Sequence, residues 1–210
     1  MTFHLDQPAI YLITKGEATP ANFALTSLQI LNIIRIAVDE RVPLVQLREK
    51  KLTARLLFEL TVAAAEITRG SATRLLVNDR ADIAATAGAD GVHLTSTSIS
   101  AQVVRRTFSP KMIIGVSTHS IEAARSAAEQ GADLAVFAPV FASPGKGEPH
   151  GITTLKKVCD GLGPFSIIGL GGVDETNYRD VIDAGASGFA AIRWLNDPDK
   201  LRSVARGLRK

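Results

Sequence analysis

The chain has 210 residues, enough for one domain with a well-buried core, and its 46% hydrophobic, 21% charged composition is that of an ordinary globular protein. A formal net charge of +3, with no basic run interleaved with aromatics, argues against a nucleic-acid partner and suits anionic small molecules. No apolar stretch approaches membrane-spanning length, the first residues lack the pattern of a signal peptide, and the single cysteine, Cys159, excludes an internal disulfide.

The cytosol is therefore the expected location, and Cys159 reads as a half-buried structural thiol. Along the chain, short apolar runs alternate with longer amphipathic ones. Strands are predicted at 9–14, 44–48, 74–78, 91–94, 112–117, 134–140, 166–170 and 188–193. Helices are predicted at 25–40, 53–68, 80–87, 100–107, 121–130, 152–159, 175–184 and 200–208. The strand segments are apolar on both faces, the pattern of parallel strands covered by helices. Such alternation favours an α/β fold, a (β/α)8 TIM barrel as one domain over residues 1–210, above an open doubly wound sheet of flavodoxin-like order.

Starts and stops agree with this reading. Ser120 is placed to cap the fifth helix and Asp174 the seventh. Gly70, Gly88, Gly131 and Gly185 are placed to close helices two, three, five and seven. The phrase Gly88-Ala89-Asp90-Gly91 recurs as Gly131-Ala132-Asp133 and as Gly185-Ala186-Ser187-Gly188, a repeated helix-to-strand turn at the barrel's bottom. One long flexible loop, 143–150, follows a strand on the face where barrels keep their active sites.

Polar groups cluster where strands end. Alternation puts Gln46, Arg48 and Lys50 on one side of the second strand and Leu47 and Glu49 on the other. Inward cations are costly unless they meet an anion or a carboxylate; they read as ligand contacts, with an Arg48–Asp79 ion pair as the structural alternative. Asn78-Asp79 ends the third strand, where Asp79 suits either a Mg²⁺ ligand or a helix cap. His93 reads as a packed structural histidine. Ser117 and His119 share one side of the fifth strand's mouth, suited to proton transfer or to capping; no acidic partner adjoins them, so a Ser-His-Asp triad is not supported. In the 143–150 loop, Lys146 lies between glycines and suits either contact with a phosphate, as part of a lid, or a solvated loop. Finally, Ile167-Ile168-Gly169-Leu170-Gly171-Gly172-Val173-Asp174 runs a strand into paired glycines and a helix expected to open on Asp174. With Arg193 at the end of the next strand, this forms a phosphate grip.

Together these stretches resemble the thiamine phosphate synthase superfamily, which includes thiazole tautomerases of the TenI type. The resemblance spans residues 9–195 and rests on the order and spacing of Gln46-Leu47-Arg48-Glu49-Lys50, Val77-Asn78-Asp79-Arg80, Gly91-Val92-His93-Leu94, Gly115-Val116-Ser117-Thr118-His119-Ser120, Pro139-Val140-Phe141 with Lys146, and Leu170-Gly171-Gly172-Val173. It implies a (β/α)8 barrel that joins hydroxymethylpyrimidine diphosphate to hydroxyethylthiazole phosphate and releases diphosphate with Mg²⁺. On that basis Gln46, Arg48, Lys50, Asn78 and Lys146 would hold the diphosphate, and Asp79 the Mg²⁺. Ser117 would face the pyrimidine, with Gly171, Gly172 and the end of strand eight on the thiazole phosphate. Ser117, His119 and Lys146 are the expected catalytic groups, and Ser143 and Arg193 join the substrate-binding set.

The chain departs from the synthase pattern in three places. Ser98 replaces the second Mg²⁺-binding aspartate, Ser143-Pro144-Gly145-Lys146 replaces a Thr-x-Thr-Lys loop, and Arg193 replaces a strand-eight serine. The retained cluster from Gln46 to Asp79 favours the synthase. Ser98, Arg193 and His119 point to the alternative, a tautomerase in which the histidine matching His119 is the acid–base catalyst. A catalytically inert phosphate-ligand sensor is the third reading. Phosphorylated thiazole and pyrimidine molecules are the expected partners, with no membrane, and barrels of this kind often form homo-oligomers.

Overall fold

The computed structural model describes Leu5, residues 8–145 and residues 147–209. Eight strand–helix pairs follow one another: β1 (Ala9–Ile13), α1 (Phe23–Asp39), β2 (Leu44–Leu47), α2 (Ala54–Thr68), β3 (Arg74–Asn78), α3 (Ala81–Ala87), β4 (Gly91–Leu94) and α4 (Ala101–Thr107). They continue with β5 (Ile113–Thr118), α5 (Ile121–Glu129), β6 (Leu134–Phe137), α6 (Gly151–Leu162), β7 (Ser166–Leu170), α7 (Tyr178–Asp183), β8 (Gly188–Ala191) and α8 (Pro198–Leu208). The strands are parallel and close in sequence order, with β8 pairing back onto β1. The expected (β/α)8 barrel is the observed fold, and the open sheet is not.

Strand alternation divides the core in two. Tyr11, Ile13, Leu44, Leu76, Leu134 and Ile168 are among the side chains that fill the barrel interior. A larger cluster packs between strands and helices. Helix α1 shows how that outer cluster forms: Ile30, Ile33, Ile34 and Ala37 recur at helical spacing and are all buried. Ser120 caps α5 as expected, accepting from the Ala123 amide at 3.1 Å.

The thrice-used phrase has one structural cause. Gly88, Gly131 and Gly185 take φ of 81°, 82° and 91°, a left-handed turn that glycine adopts without penalty. The amides of Asp90, Asp133 and Ser187 then each donate to the carbonyl of the preceding strand, at Leu75, Ile114 and Ile167. The Asp90 and Asp133 carboxylates accept from the Leu75 and Ile114 amides at 2.9 and 2.8 Å. These bonds satisfy strand groups at the bottom of the barrel, opposite the C-terminal ends of the strands.

Several boundaries differ from those read in the sequence. Strand β6 stops at Phe137 because Pro139 has no N–H for the ladder; the chain then turns to β7, where Val140 and Phe141 donate to the Leu170 and Gly171 carbonyls. Strand β8 stops at Ala191, so Arg193 lies in the turn that follows it. Asp174 does not cap α7. Its Oδ1 accepts from the Thr176 amide and hydroxyl, forming a local turn, and the six-residue helix opens only at Tyr178. The helix expected directly behind the Gly171-Gly172 turn therefore starts further along the chain. Cys159 is buried, and burial foremost pushes its thiol up to about 11, in keeping with a structural role. Among the described residues no helix is long and apolar enough to cross a membrane.

Candidate active site

A cavity of about 880 Å³ opens at the C-terminal ends of the strands, within the range of small-molecule sites. Its wall gathers Gln46, Arg48, Lys50, Asn78, Ser117, His119, Ser143, Gly171, Gly172 and Arg193, groups spread over most of the chain. Apolar patches from Ile13, Leu170, Ala190 and Ile192 lie among them. Lys146, the remaining expected catalytic group, lies outside the described residues.

The β2 side is built by alternation. Gln46 is buried and its Nε2 donates to Asn78 Oδ1 at 3.0 Å, which joins the mouths of β2 and β3. Glu49 points away from the cavity and is buried; its carboxylate accepts from the Gly16 and Ala18 amides at 3.1 and 2.9 Å. That holds the loop after β1 beneath Arg48: a Cβ on Gly16 would lie 3.1 Å from Arg48 Nη1. No ion pair joins Arg48 to Asp79 among the described residues, so the structural alternative for Arg48 does not apply.

His93 belongs to the site. It is buried, lines the cavity, and bridges Tyr11 Oη (3.2 Å from Nδ1) to Ser117 Oγ (2.9 Å from Nε2). Burial first, then the nearby Arg48 and Lys50 cations, press the ring down to about 3, so it is neutral at pH 7. Burial also holds the Tyr11 phenol well above its ordinary range. Next to this group, His119 is exposed on the cavity wall with Nδ1 2.6 Å from the Ala138 carbonyl oxygen. A carbonyl only accepts, so Nδ1 donates and Nε2 of the neutral ring is left as the acceptor.

The opposite side is the Gly171-Gly172 turn. Glycine lines a cavity with backbone alone, and both residues have positive φ, 99° and 64°. A Cβ on Gly171 would meet Pro139 Cα at 2.7 Å, and one on Gly172 would meet the Ala142 carbonyl oxygen at 2.5 Å. Asn177 braces the turn from below, donating to the Gly172 carbonyl at 2.9 Å and accepting from the Asp174 amide at 2.9 Å. Arg193 is exposed at the rim, and Lys200 joins the lining while paired at 3.2 Å with Glu175. Trp194 stacks on Phe189 below them, 5.6 Å between ring centroids.

Asp79 stands apart. It is exposed, has a φ of 61°, and does not line the cavity; nor does it cap α3, whose cap residue is Arg80. Instead the Ser98 hydroxyl donates to its carboxylate, and Ser98 Oγ in turn accepts from the Thr95 amide at 2.7 Å. Among the described residues, no three His, Cys, Asp or Glu side chains converge as a metal centre.

Sequence reasoning missed His93 and Lys200 as members of the site. No local signal marks His93: it takes the inward phase of β4, and the register that sets Gly115 of β5 beside it is what leaves the ring room.

Comparison with known proteins agrees with this geometry. Residues 10–195 match the thiamine monophosphate synthase family. A putative thiamine-phosphate synthase of Geobacter sulfurreducens is 42% identical over 95% of this chain and 92% of its own. A thiamine-phosphate synthase of Caldanaerobacter subterraneus is 33% identical over 89% and 91%. Among solved structures, thiamine phosphate pyrophosphorylase from Pyrococcus furiosus superposes with a TM-score of 0.81 at 26% identity, covering 97% of this chain and 95% of that one. A match across nearly the whole barrel, together with a relative of this identity, establishes that the chain belongs to the thiamine monophosphate synthase family.

Proposed function

We propose that the chain is a thiamine-phosphate synthase, a transferase that joins hydroxymethylpyrimidine diphosphate to hydroxyethylthiazole phosphate. The observation that carries this reading is the meeting of two cationic regions in one cavity: Arg48 and Lys50 just after β2, and Arg193 on the side of the Gly171-Gly172 turn. A two-phosphate reaction needs two such regions.

Arg48 and Lys50, with Gln46 and Asn78, bind the diphosphate and stabilise the charge that builds as the C–O bond to the pyrimidine methylene breaks. Gly171, Gly172 and Arg193 hold the thiazole phosphate so that the thiazole nitrogen meets that carbon and forms the new C–N bond. Ser117 orients the pyrimidine ring, while Ile13, Leu170 and Ile192 keep water from the reacting carbon. Ser143, on the cavity wall, and Lys146 of the same loop add to the diphosphate contacts.

The donor set at Asp79 fits Mg²⁺. It offers hard oxygens only, one carboxylate with the Ser98 hydroxyl beside it, and Mg²⁺ is commonly held by one or two carboxylates with substrate phosphates and waters. Asp79 does not line the cavity but directly follows Asn78, which does; it would hold the ion there, and bound Mg²⁺ would neutralise part of the charge on the departing diphosphate.

The test is direct. The purified protein is incubated with both substrates and Mg²⁺, and thiamine phosphate and diphosphate are measured. Product in equal amounts supports the reading; none above a control without the protein overturns it. One observation favours a second reading, thiazole tautomerase: the Ala138 carbonyl fixes the His119 tautomer with Nε2 as a base. Deuterium exchange into a carboxythiazole phosphate that is equally fast in His119→Ala would remove that reading.

A further inference from the structure

We propose that Tyr11 and His93 are positioning residues that fix the Ser117 hydroxyl as a hydrogen-bond donor to the bound ring, so that this corner of the site recognises an unprotonated ring nitrogen. The identity of the ring rests on the function proposed above; the direction of the donor rests on the chain alone.

The derivation starts at the buried end. Tyr11 is fully buried, and its hydroxyl has one partner among the described residues, His93 Nδ1. If Nδ1 carried the ring proton, the phenol oxygen would accept it and the phenol hydrogen would have no acceptor. A buried donor left unmade is costly. The phenol therefore donates to Nδ1, and the neutral ring carries its proton on Nε2. Nε2–H can then only donate, and its partner is Ser117 Oγ. With its oxygen accepting from the histidine, the serine turns its own hydrogen into the cavity. The depressed basicity of His93 keeps the ring in this neutral form. The packing reserves space for it as well: a Cβ on Gly115, the register neighbour of His93, would lie 2.9 Å from Nδ1 and 3.6 Å from Cε1.

Tyr11→Phe removes a single oxygen outside the substrate's reach. Without the phenol donor neither tautomer is preferred, and Ser117 spends part of its time donating to Nε2. Its kcat/KM for the pyrimidine diphosphate is expected to fall about 2- to 10-fold, the worth of one neutral hydrogen bond, with KM for the thiazole phosphate unchanged. In a Ser117→Ala background the same substitution is expected to have no effect, because Tyr11 acts only through Ser117. ¹⁵N NMR of the free protein supplies a readout independent of turnover: His93, assigned as the ring whose signals move in Ser117→Ala, is expected as the Nε2–H tautomer, and as a mixture in Tyr11→Phe. A wild-type Nδ1–H tautomer overturns the proposal, as does a Tyr11→Phe penalty equally large in the Ser117→Ala background. If the protein turns over neither substrate yet shows the Nε2–H tautomer, the proposed function fails while the positioning of Ser117 stands.

Discussion

Gly172→Ala tests the phosphate grip proposed for the Gly171-Gly172 turn. Two costs can be separated. An L-residue at a φ of 64° pays about 1–2 kcal/mol of backbone strain. The new Cβ would also sit 2.5 Å from the Ala142 carbonyl oxygen, and ordinary contact begins at 3.4 Å, so turn and loop must part by about 0.9 Å. Asn177 holds the Gly172 carbonyl from the other side, which limits where the turn can go. A misplacement of about 1 Å in a positioned substrate can cost about 100-fold in rate. Gly70→Ala is the control: φ is 74°, nothing lies within 4 Å of its Cβ, and it sits at the far end of α2. Both variants are expected to lose about 1–2 kcal/mol of backbone stability in urea unfolding. Only Gly172→Ala is expected to lower kcat/KM for the thiazole phosphate, by about 30- to 100-fold. Steady-state kinetics with the pyrimidine diphosphate saturating and the thiazole phosphate varied reads this directly. A Gly172→Ala enzyme with the kinetics of Gly70→Ala would refute the close-packed turn as the phosphate site.

Arg193→Ala is expected to cost about 10- to 100-fold in kcat/KM for the thiazole phosphate, the range for one hydrogen bond to a charged group; an unchanged value in steady-state assays places the phosphate elsewhere. The His93 ring is expected to stay neutral from pH 8 down to about 5 by NMR, because burial lowers it to about 3. Between an unfolded value of 6.5 and that folded value, the unfolded chain binds more protons, so this contribution to stability is full above 6.5 and declines as pH falls toward 3. Urea midpoints at pH 7 and pH 4.5 should show a smaller acid loss in His93→Gln than in the wild type. Glu40 is buried at the end of α1 and bonded by Arg206 and Arg209 of the chain's end, and the Arg206 bond foremost lowers its carboxyl. Its contribution is present above the ordinary carboxylate range and lost as pH falls through the lowered value. Glu40→Gln should cost about 1–2 kcal/mol at pH 7 in urea unfolding, modest because both arginines face solvent, and the gap should close in acid.

The barrel was legible because its signal is repeated eight times. The strands are mainly apolar on both faces, the helices carry an apolar stripe, and at three of the returns a Gly-Ala-Asp or Gly-Ala-Ser turn leads into the next strand. The β2 side of the site was legible in part: a period of two decides where Gln46 points, and although the strand stops at Leu47, Arg48 and Lys50 just beyond it also line the cavity. The remainder depends on contacts that the local sequence does not encode. His93 meets Tyr11 across 82 residues, and a histidine inside a strand reads the same whether its ring touches the core or a ligand. Asp174 has the chemistry of a helix cap, but the same chemistry closes a turn on Thr176, and only the backbone path decides between them. Lys200 enters the site from the first turn of α8, at a distance set by how the chain folds after β8.

The order of the strands gives the two-phosphate reading its physical sense. Arg48 and Lys50 follow β2, Arg193 follows β8, and β1 lies between those two strands, hydrogen-bonded to both. Neighbouring strands are about 4.8 Å apart, so the two anion regions are separated by roughly 10 Å of sheet. The side chain that β1 contributes to the cavity between them is Ile13, which carries no charge, and Ile192 and Ala190 extend the apolar surface beside it. Two phosphate-bearing ligands held that far apart repel only weakly. A dry wall beneath them gives the electron-poor methylene no competing nucleophile except the thiazole nitrogen. On this argument, replacing Ile13 by Asn should leave both substrates bound with KM values near those of the wild type, yet release hydroxymethylpyrimidine into solution. Product analysis by chromatography measures the ratio of trapped to hydrolysed pyrimidine. An Ile13→Asn enzyme that still converts every diphosphate released into thiamine phosphate would show that exclusion of water does not depend on the β1 wall.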